Sequence, residues 1–226
     1  MTRLEKHRAG VDGHELRLPN ALLESAPAED VIAWAVKRFG RQLALACSFQ
    51  DCVIVDLAVQ ADPGIEVVFL DTGFHFPETL AFVEKVRSLY DLNLTVVRPG
   101  PEADAWPCGS ERCCELRKVA PLERALEGRL AWMTGLKRCD APTRSCTPVA
   151  AWDEKRRMVK VNPLAAWSDD DISTYLADHG LPVHPLVPRG YLSIGCAPTT
   201  RPVDPGAQPR SGRWWGTTKT ECGLHL

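Results

Sequence analysis

Gln42-Leu43-Ala44-Leu45-Ala46-Cys47-Ser48, a turn at Phe49-Gln50-Asp51, a helical pattern through Val53, Ile54, Leu57 and Ala58 to Pro63-Gly64, and then Glu66-Val67-Val68-Phe69-Leu70-Asp71: this stretch decides the fold. Both apolar runs are short and bounded by turn residues, as buried strands are. Strands that alternate with helices at this spacing indicate βαβ units and a parallel sheet.

The pattern continues on both sides. Upstream, Ala28-Glu29-Asp30 opens a helix after Pro27, with Val31, Ile32, Ala35, Val36 and Phe39 at helical spacing and a stop at Gly40. Residues 1–26 read as a loosely amphipathic, helical lead-in. Downstream, Pro77 to Tyr90 is expected as a helix with proline in its first turn. Leu94–Arg98 is then a third strand, Glu111 to about Gly128 a helix, Leu130–Gly135 a fourth strand and Met158–Pro163 a fifth. Ser168-Asp169-Asp170-Asp171 caps a last helix that stops at Gly180, and the aspartates need no role beyond matching its dipole. The expectation is an α/β domain over residues 1–200 with an open, mainly parallel sheet of five or six strands. Beyond Gly180 proline and glycine dominate, and residues 201–213 exclude regular structure. Residues 201–226 therefore read as a flexible arm and tail.

Composition narrows the function. The chain has 226 residues, 45% hydrophobic and 25% charged, with a net charge of −2. Nothing in that balance points to nucleic acid or a membrane, and neither a signal-peptide core nor a membrane-length apolar run is present. Locally the balance shifts: from Pro185 to Leu226 five Lys/Arg face two acids. A cationic tail of this kind suits a small anionic ligand, although a solvated tail looks the same. Nine cysteines, an odd number, fit a reducing cytoplasm better than a disulfide framework and read as metal ligands or catalysts. A homo-oligomer is compatible with all of this.

Ligands of parallel α/β sheets bind beyond the carboxyl ends of the strands, and three motifs fall there. Cys47–Asp51 follows the first strand. It is no Walker A loop, but Ser48 and the amides opening the next helix suit a phosphate; Ser and Asp at such a turn are also common as simple caps. Asp71-Thr72-Gly73-Phe74-His75-Phe76 follows the second strand, where His75 reads as well as a packed, hydrogen-bonded histidine. Leu136-Lys137-Arg138-Cys139-Asp140-Ala141-Pro142-Thr143-Arg144 follows the fourth.

The chain closes on Lys219-Thr220-Glu221-Cys222-Gly223-Leu224-His225-Leu226. A thiol so near a terminus is reachable, and the neighbouring cations favour its nucleophilic thiolate. Glu221-Cys222-Gly223-Leu224-His225 resembles the C-terminal signature of the assimilatory adenylyl-sulfate and phosphoadenylyl-sulfate reductases, and nearly all of the chain after residue 40 is similar to that family. The resemblance implies an adenine-nucleotide α-hydrolase-like, PP-loop-related fold. It implies that Cys222 attacks the sulfur of the activated sulfate, that the Asp71-Thr72-Gly73 stretch helps form the adenine-nucleotide pocket, and that the loop holding Arg138 and Arg144 binds substrate oxygens with forked guanidiniums.

Family members that use adenylyl sulfate carry a tandem Cys-Cys and a later C-x-x-C that together hold a [4Fe–4S] cluster. Cys113-Cys114 match the first pair and Cys196 starts the second, but its last position is Thr199. Three thiolates remain of a four-thiolate pattern. A cluster with one labile iron, completion by Cys108 or Cys139, loss of the cluster, and a zinc site are the alternatives; the resemblance favours an iron–sulfur centre. Lys118, four residues after Cys114 on one helix face, matches a family lysine and suits a place between thiolates and anionic substrate.

The sequence thus leads to an expected adenylyl-sulfate reductase. It would convert adenosine 5′-phosphosulfate to sulfite and AMP through a thiosulfonate on Cys222, released by thioredoxin or a similar dithiol. Lys118, Arg144, Arg210, Arg213 and His225 would neutralise developing charge. A cluster-free reductase of 3′-phosphoadenosine 5′-phosphosulfate is the nearest alternative. An iron–sulfur redox sensor would not need the Cys222 tail, and an ATP-splitting adenylyl transferase would need a glycine-rich loop that Cys47–Asp51 lacks.

Overall fold

The computed structural model describes residues 21–215 and 219–225; residues 1–20 of the expected lead-in lie outside them. Helix α1 (Ala28–Phe39) starts after Pro27 and ends at Gly40, burying Val31, Ile32, Ala35 and Phe39. Strand β1 (Leu43–Ala46), helix α2 (Val53–Ala61), strand β2 (Glu66–Leu70), helix α3 (Pro77–Tyr90) and strand β3 (Leu94–Val97) follow as the apolar runs require. Strand β4 (Ala131–Thr134), strand β5 (Ala150–Asp153), strand β6 (Met158–Val161) and helix α6 (Asp169–Asp178) complete the later part. The six strands lie in the order β3-β2-β1-β4-β6-β5. β1 and β4 pair in parallel with Leu43 opposite Ala131, and β4 and β6 with Ala131 opposite Val159.

β5 has no counterpart among the expected strands. It pairs antiparallel with β6, Ala150 opposite Val161, through a turn in which Arg157 takes φ 53°. Only its first residue is buried, so it lacks the apolar run that marks β1 or β4. The helix expected over 111–128 also differs. It is built of α4 (Glu111–Cys114), one π-helical turn over Glu115–Val119, and α5 (Ala120–Ala125). π-turns inside helices often mark functional sites, and this one carries Arg117 and Lys118.

The chain divides into two compact units. One comprises the described residues up to 47 with 53–67 and 126–180. Its core is the apolar β1 and β4, covered by α1 and α2; at Gly135 a Cβ would stand 3.2 Å from Ile54, so the strand end packs closely on α2. The second comprises 48–52, 68–125 and 181 onward. No helix among the described residues is long and apolar enough to cross a membrane.

The expectation that 201–213 excludes regular structure is corrected in one part. Pro209–Gly212 forms a 3-10 turn, and Thr200 and Arg213 make an antiparallel bridge. The Arg201 amide donates to the Gly212 carbonyl and the Trp214 amide to the Thr199 carbonyl. The prolines and glycines thus shape a hairpin whose far end is pinned by Trp214, only 4% exposed.

Candidate active site

Three segments of the second unit converge. In the first, Asp71 follows β2 and its carboxylate accepts from the Gly73 amide (3.0 Å) and from Arg98 (3.1 Å). Gly73 takes φ +72°, and a Cβ there would lie 3.3 Å from the Arg117 guanidinium. Thr72 is buried, and its hydroxyl shares a hydrogen bond with the Cys196 thiol (3.6 Å) and accepts from the Phe74 amide. The motif expected to form a nucleotide pocket therefore also braces a cysteine. His75 is a packed histidine, with Nε2 2.9 Å from the Leu70 carbonyl and its ring against Phe69. Ser48 is exposed at the turn after β1.

The second segment is the α4–π–α5 helix. Ser110 caps it by accepting from the Cys113 amide at 3.1 Å, which turns Cys113 and Cys114 inward; both are buried. Arg117 is held by the Thr72 carbonyl (2.8 Å), Asp104 (2.7 Å) and the face of Phe74. It therefore works as a strut. Lys118 follows Arg117 in the π-turn. Burial opposes its charge, but Cys196, Cys222 and Cys114 outweigh burial and hold its pKa above the usual lysine value.

The tail is the third. Arg210 donates to the Thr220 carbonyl (2.9 Å) and the Glu221 carboxylate (3.3 Å), fixing the stretch just before Cys222. Arg213 lies against Gly195, where a Cβ would collide with its guanidinium, and donates to the Ile194 carbonyl at 3.3 Å. Burial lowers its pKa, as does Arg210, while Cys222, Cys196 and Cys114 pull the other way. Arg210, Arg213 and Lys219 all approach the Trp214 ring, at 5.4, 4.7 and 5.8 Å. Trp214 holds φ 48°, a strained backbone for a bulky residue that persists only where its surroundings enforce it. Cys222 and His225 are half-buried.

Lys219 belongs to the tail motif but was not among the expected site residues. Its amine donates to Cys114 Sγ (3.1 Å) and to the carbonyls of Gly109 (3.1 Å) and Ser110 (3.3 Å). Its position three residues before Cys222 was the one available signal. Trp214 was also missed, hidden among prolines and glycines.

The hydrogen bond from Cys108 is the main cause that pulls Cys196 well below the usual thiol pKa, against burial and with help from Lys118. Cys108 is pushed up by that bond and by burial. Cys113, Cys114 and Cys196 are buried, with the Lys219 amine 3.1 Å from Cys114 Sγ; soft sulfur donors with a cation at hand fit an iron–sulfur centre.

Arg138 and Arg144 belong to the first unit. Arg138 donates to the Thr147 carbonyl (2.8 Å) and pairs with Glu24, while Arg144 pairs with Asp140 at 3.1 Å. Asp140 also pairs with Lys137. Cys139 is exposed and donates to the Trp167 carbonyl.

This is a mainly parallel α/β fold carrying buried cysteines and a cationic, cysteine-bearing tail. The chain belongs to the phosphoadenosine phosphosulfate reductase domain family, whose model matches residues 42–202. It is 46% identical over 212 residues to an adenosine 5′-phosphosulfate reductase of Streptomyces coelicolor, covering 90% of each chain. It is also 46% identical over 215 residues to the reductase of that name from Mycolicibacterium smegmatis, covering 91% of each. The phosphoadenylyl-sulfate reductase of Candida auris, solved with phosphate, superposes with a TM-score of 0.75 at 27% identity, over 84% of this chain and 98% of that one. FMN adenylyltransferase of Candida glabrata shares the fold alone, with a TM-score of 0.60 at 16% identity over 80% of this chain and 68% of the other. The expected family and fold class are thus borne out.

Proposed function

We propose that this chain reduces adenosine 5′-phosphosulfate to sulfite and AMP, with Cys222 as the nucleophile. The observation that carries the reading is the half-buried Cys222, on a tail that Arg210 fixes through Thr220 and Glu221 and that Lys219 ties to Cys114 Sγ, in a chain similar over nine-tenths of its length to reductases of that name.

The Cys222 thiolate attacks the sulfate sulfur. An S–S bond forms, the S–O bond to the phosphate breaks, and AMP leaves with the electron pair on its phosphate oxygen. Lys118, Arg213 and His225 neutralise the sulfonate and phosphate oxygens as charge moves, and Arg210 orders the tail through Thr220 and Glu221. A dithiol donor, thioredoxin in kind, then attacks Cys222 Sγ. Sulfite departs with the bonding pair, and the donor's second thiol displaces Cys222 from the mixed disulfide. The donor is oxidised by two electrons and sulfur is reduced by two. Residues 201–226 act as the arm that presents Cys222 to nucleotide and then to the donor.

Ser48, Asp71, Thr72 and Gly73 are assigned to nucleotide binding, Thr72 through its backbone because its hydroxyl serves Cys196. Arg138 and Arg144, already paired with Glu24 and Asp140, are the weaker candidates for substrate oxygens. Cys113, Cys114 and Cys196 would hold an iron–sulfur centre. When bound, that centre would supply positive iron charge, tuned by hydrogen bonds to its sulfurs. The reading places the reaction in a reducing, cytoplasmic compartment.

The test compares sulfite release from adenosine 5′-phosphosulfate and from its 3′-phosphorylated form, with a dithiol donor. Turnover on the first and little on the second supports the reading. The reverse preference selects the alternative reductase, and release of neither product overturns the enzyme.

A further inference from the structure

We propose that Cys108 supplies the fourth thiolate of the iron–sulfur centre, taking over in space the place that Thr199 leaves without sulfur in sequence. The inference rests on the iron–sulfur reading above and deepens it. A four-thiolate group needs four sulfurs on one locus, and the loop before α4 brings the fourth.

Cys108 Sγ stands 3.9 Å from the Thr199 hydroxyl, so the two side chains meet at one point although 91 positions separate them. Residue 199 lies in the turn that follows Cys196, its amide donating to the Cys196 carbonyl at 3.1 Å. Cys108 thus stands beside the second half of the motif and five residues before the first.

The backbone is built for this approach. Gly109 takes φ +94°, and a Cβ there would come within 2.8 Å of Thr199 Cγ2. Only glycine lets this loop turn while pressed against residue 199. Ser110 caps α4 through the Cys113 amide, which fixes the spacing from Cys108 to the tandem pair. Lys219 donates to the Gly109 and Ser110 carbonyls as well as to Cys114 Sγ, so one ammonium clamps the loop and a ligand together. Threonine cannot offer a soft thiolate, and its hydroxyl instead lies 3.4 Å from the Cys196 carbonyl. Cys139, the other candidate, is exposed and spends its proton on Trp167.

The experiment measures iron and acid-labile sulfide per chain, with electron paramagnetic resonance, on full-length protein purified without oxygen. The variants are Cys108→Ala, Cys139→Ala and the double variant Cys108→Ala/Thr199→Cys. Wild-type protein and Cys139→Ala should each carry about four iron and four sulfide. Cys108→Ala should fall to about three iron with a three-iron signal, or lose the centre. The double variant should regain about four iron, because a thiol returns to the same point from the other side. That recovery separates a lost ligand from a damaged fold.

A Cys108→Ala protein with a full, wild-type signal overturns the inference and leaves the centre standing on other ligands. So does a double variant of native circular dichroism that stays as iron-poor as Cys108→Ala. Wild-type protein without iron or sulfide that still releases sulfite overturns the iron–sulfur reading itself, and this inference with it.

Discussion

The two units use their cations differently. In the first, Arg129 meets Glu66, Arg138 meets Glu24, Arg144 meets Asp140 and Arg156 meets Asp153; the guanidiniums are spent on carboxylates. The second unit spends Arg98, Arg117, Arg189 and Arg210 in the same way, but Lys118 and Arg213 act on the charge of Cys222, Cys196 and Cys114, and Lys219 donates to Cys114. A cation neutralised by a fixed carboxylate has little left for a ligand, whereas one beside a thiol stabilises charge that appears during reaction. Residue type alone therefore does not identify an anion site.

The largest expected effect comes from Cys222→Ser, which should lower sulfite release by roughly 10⁴-fold while calorimetry still shows nucleotide binding. Normal turnover would remove the second unit's claim to the chemistry. Next, Arg213→Ala should lower kcat/KM by roughly 10²–10³-fold, against about tenfold or less for Arg144→Ala, whose guanidinium already has Asp140. Equal losses in steady-state kinetics would break the contrast between spent and reserved cations.

Buried polar groups give two smaller tests. His184 in the second unit accepts from the Leu186 amide at Nδ1 and lies 3.1 Å from the Thr79 hydroxyl at Nε2. Burial depresses its pKa to about 4 from 6.5, with Glu78 opposing. The unfolded chain therefore takes up a proton before the folded one does. Its contribution is full above pH 6.5 and is lost as pH falls toward 4, on the order of 3 kcal/mol in all. Urea unfolding across this window should show the slope in wild-type protein and a shallower one in His184→Gln. In the first unit, Tyr175 donates to buried Asp56 at 2.7 Å, beside Gln60. Tyr175→Phe should cost about 2 kcal/mol, read as a lower urea midpoint at pH 7.

Most of the sheet was legible because β1, β2 and β4 are apolar runs cut by proline and glycine, signals that act locally. β5 was not: an edge strand with one buried residue depends on its partner β6 for existence. The π-turn has no local signature either, and it changes how Lys118 and Arg117 are presented, sending Arg117 to Thr72 and Asp104. Of the site, Cys222 and the three family-matched cysteines stood out by motif. Cys108 entered only as one alternative, since spacing along the chain says nothing of its meeting with Thr199. Trp214 and Lys219 act through packing across long separations, where no sequence period reaches.

The 3.9 Å between Cys108 and Thr199 also bears on descent. On the ligand set inferred here, positions 108 and 199 are two addresses for one sulfur. A forebear holding cysteine at both would keep a complete set through either single replacement. A lineage could then pass from the C-x-x-C arrangement to this one in two viable steps, without a generation that lacks the fourth ligand.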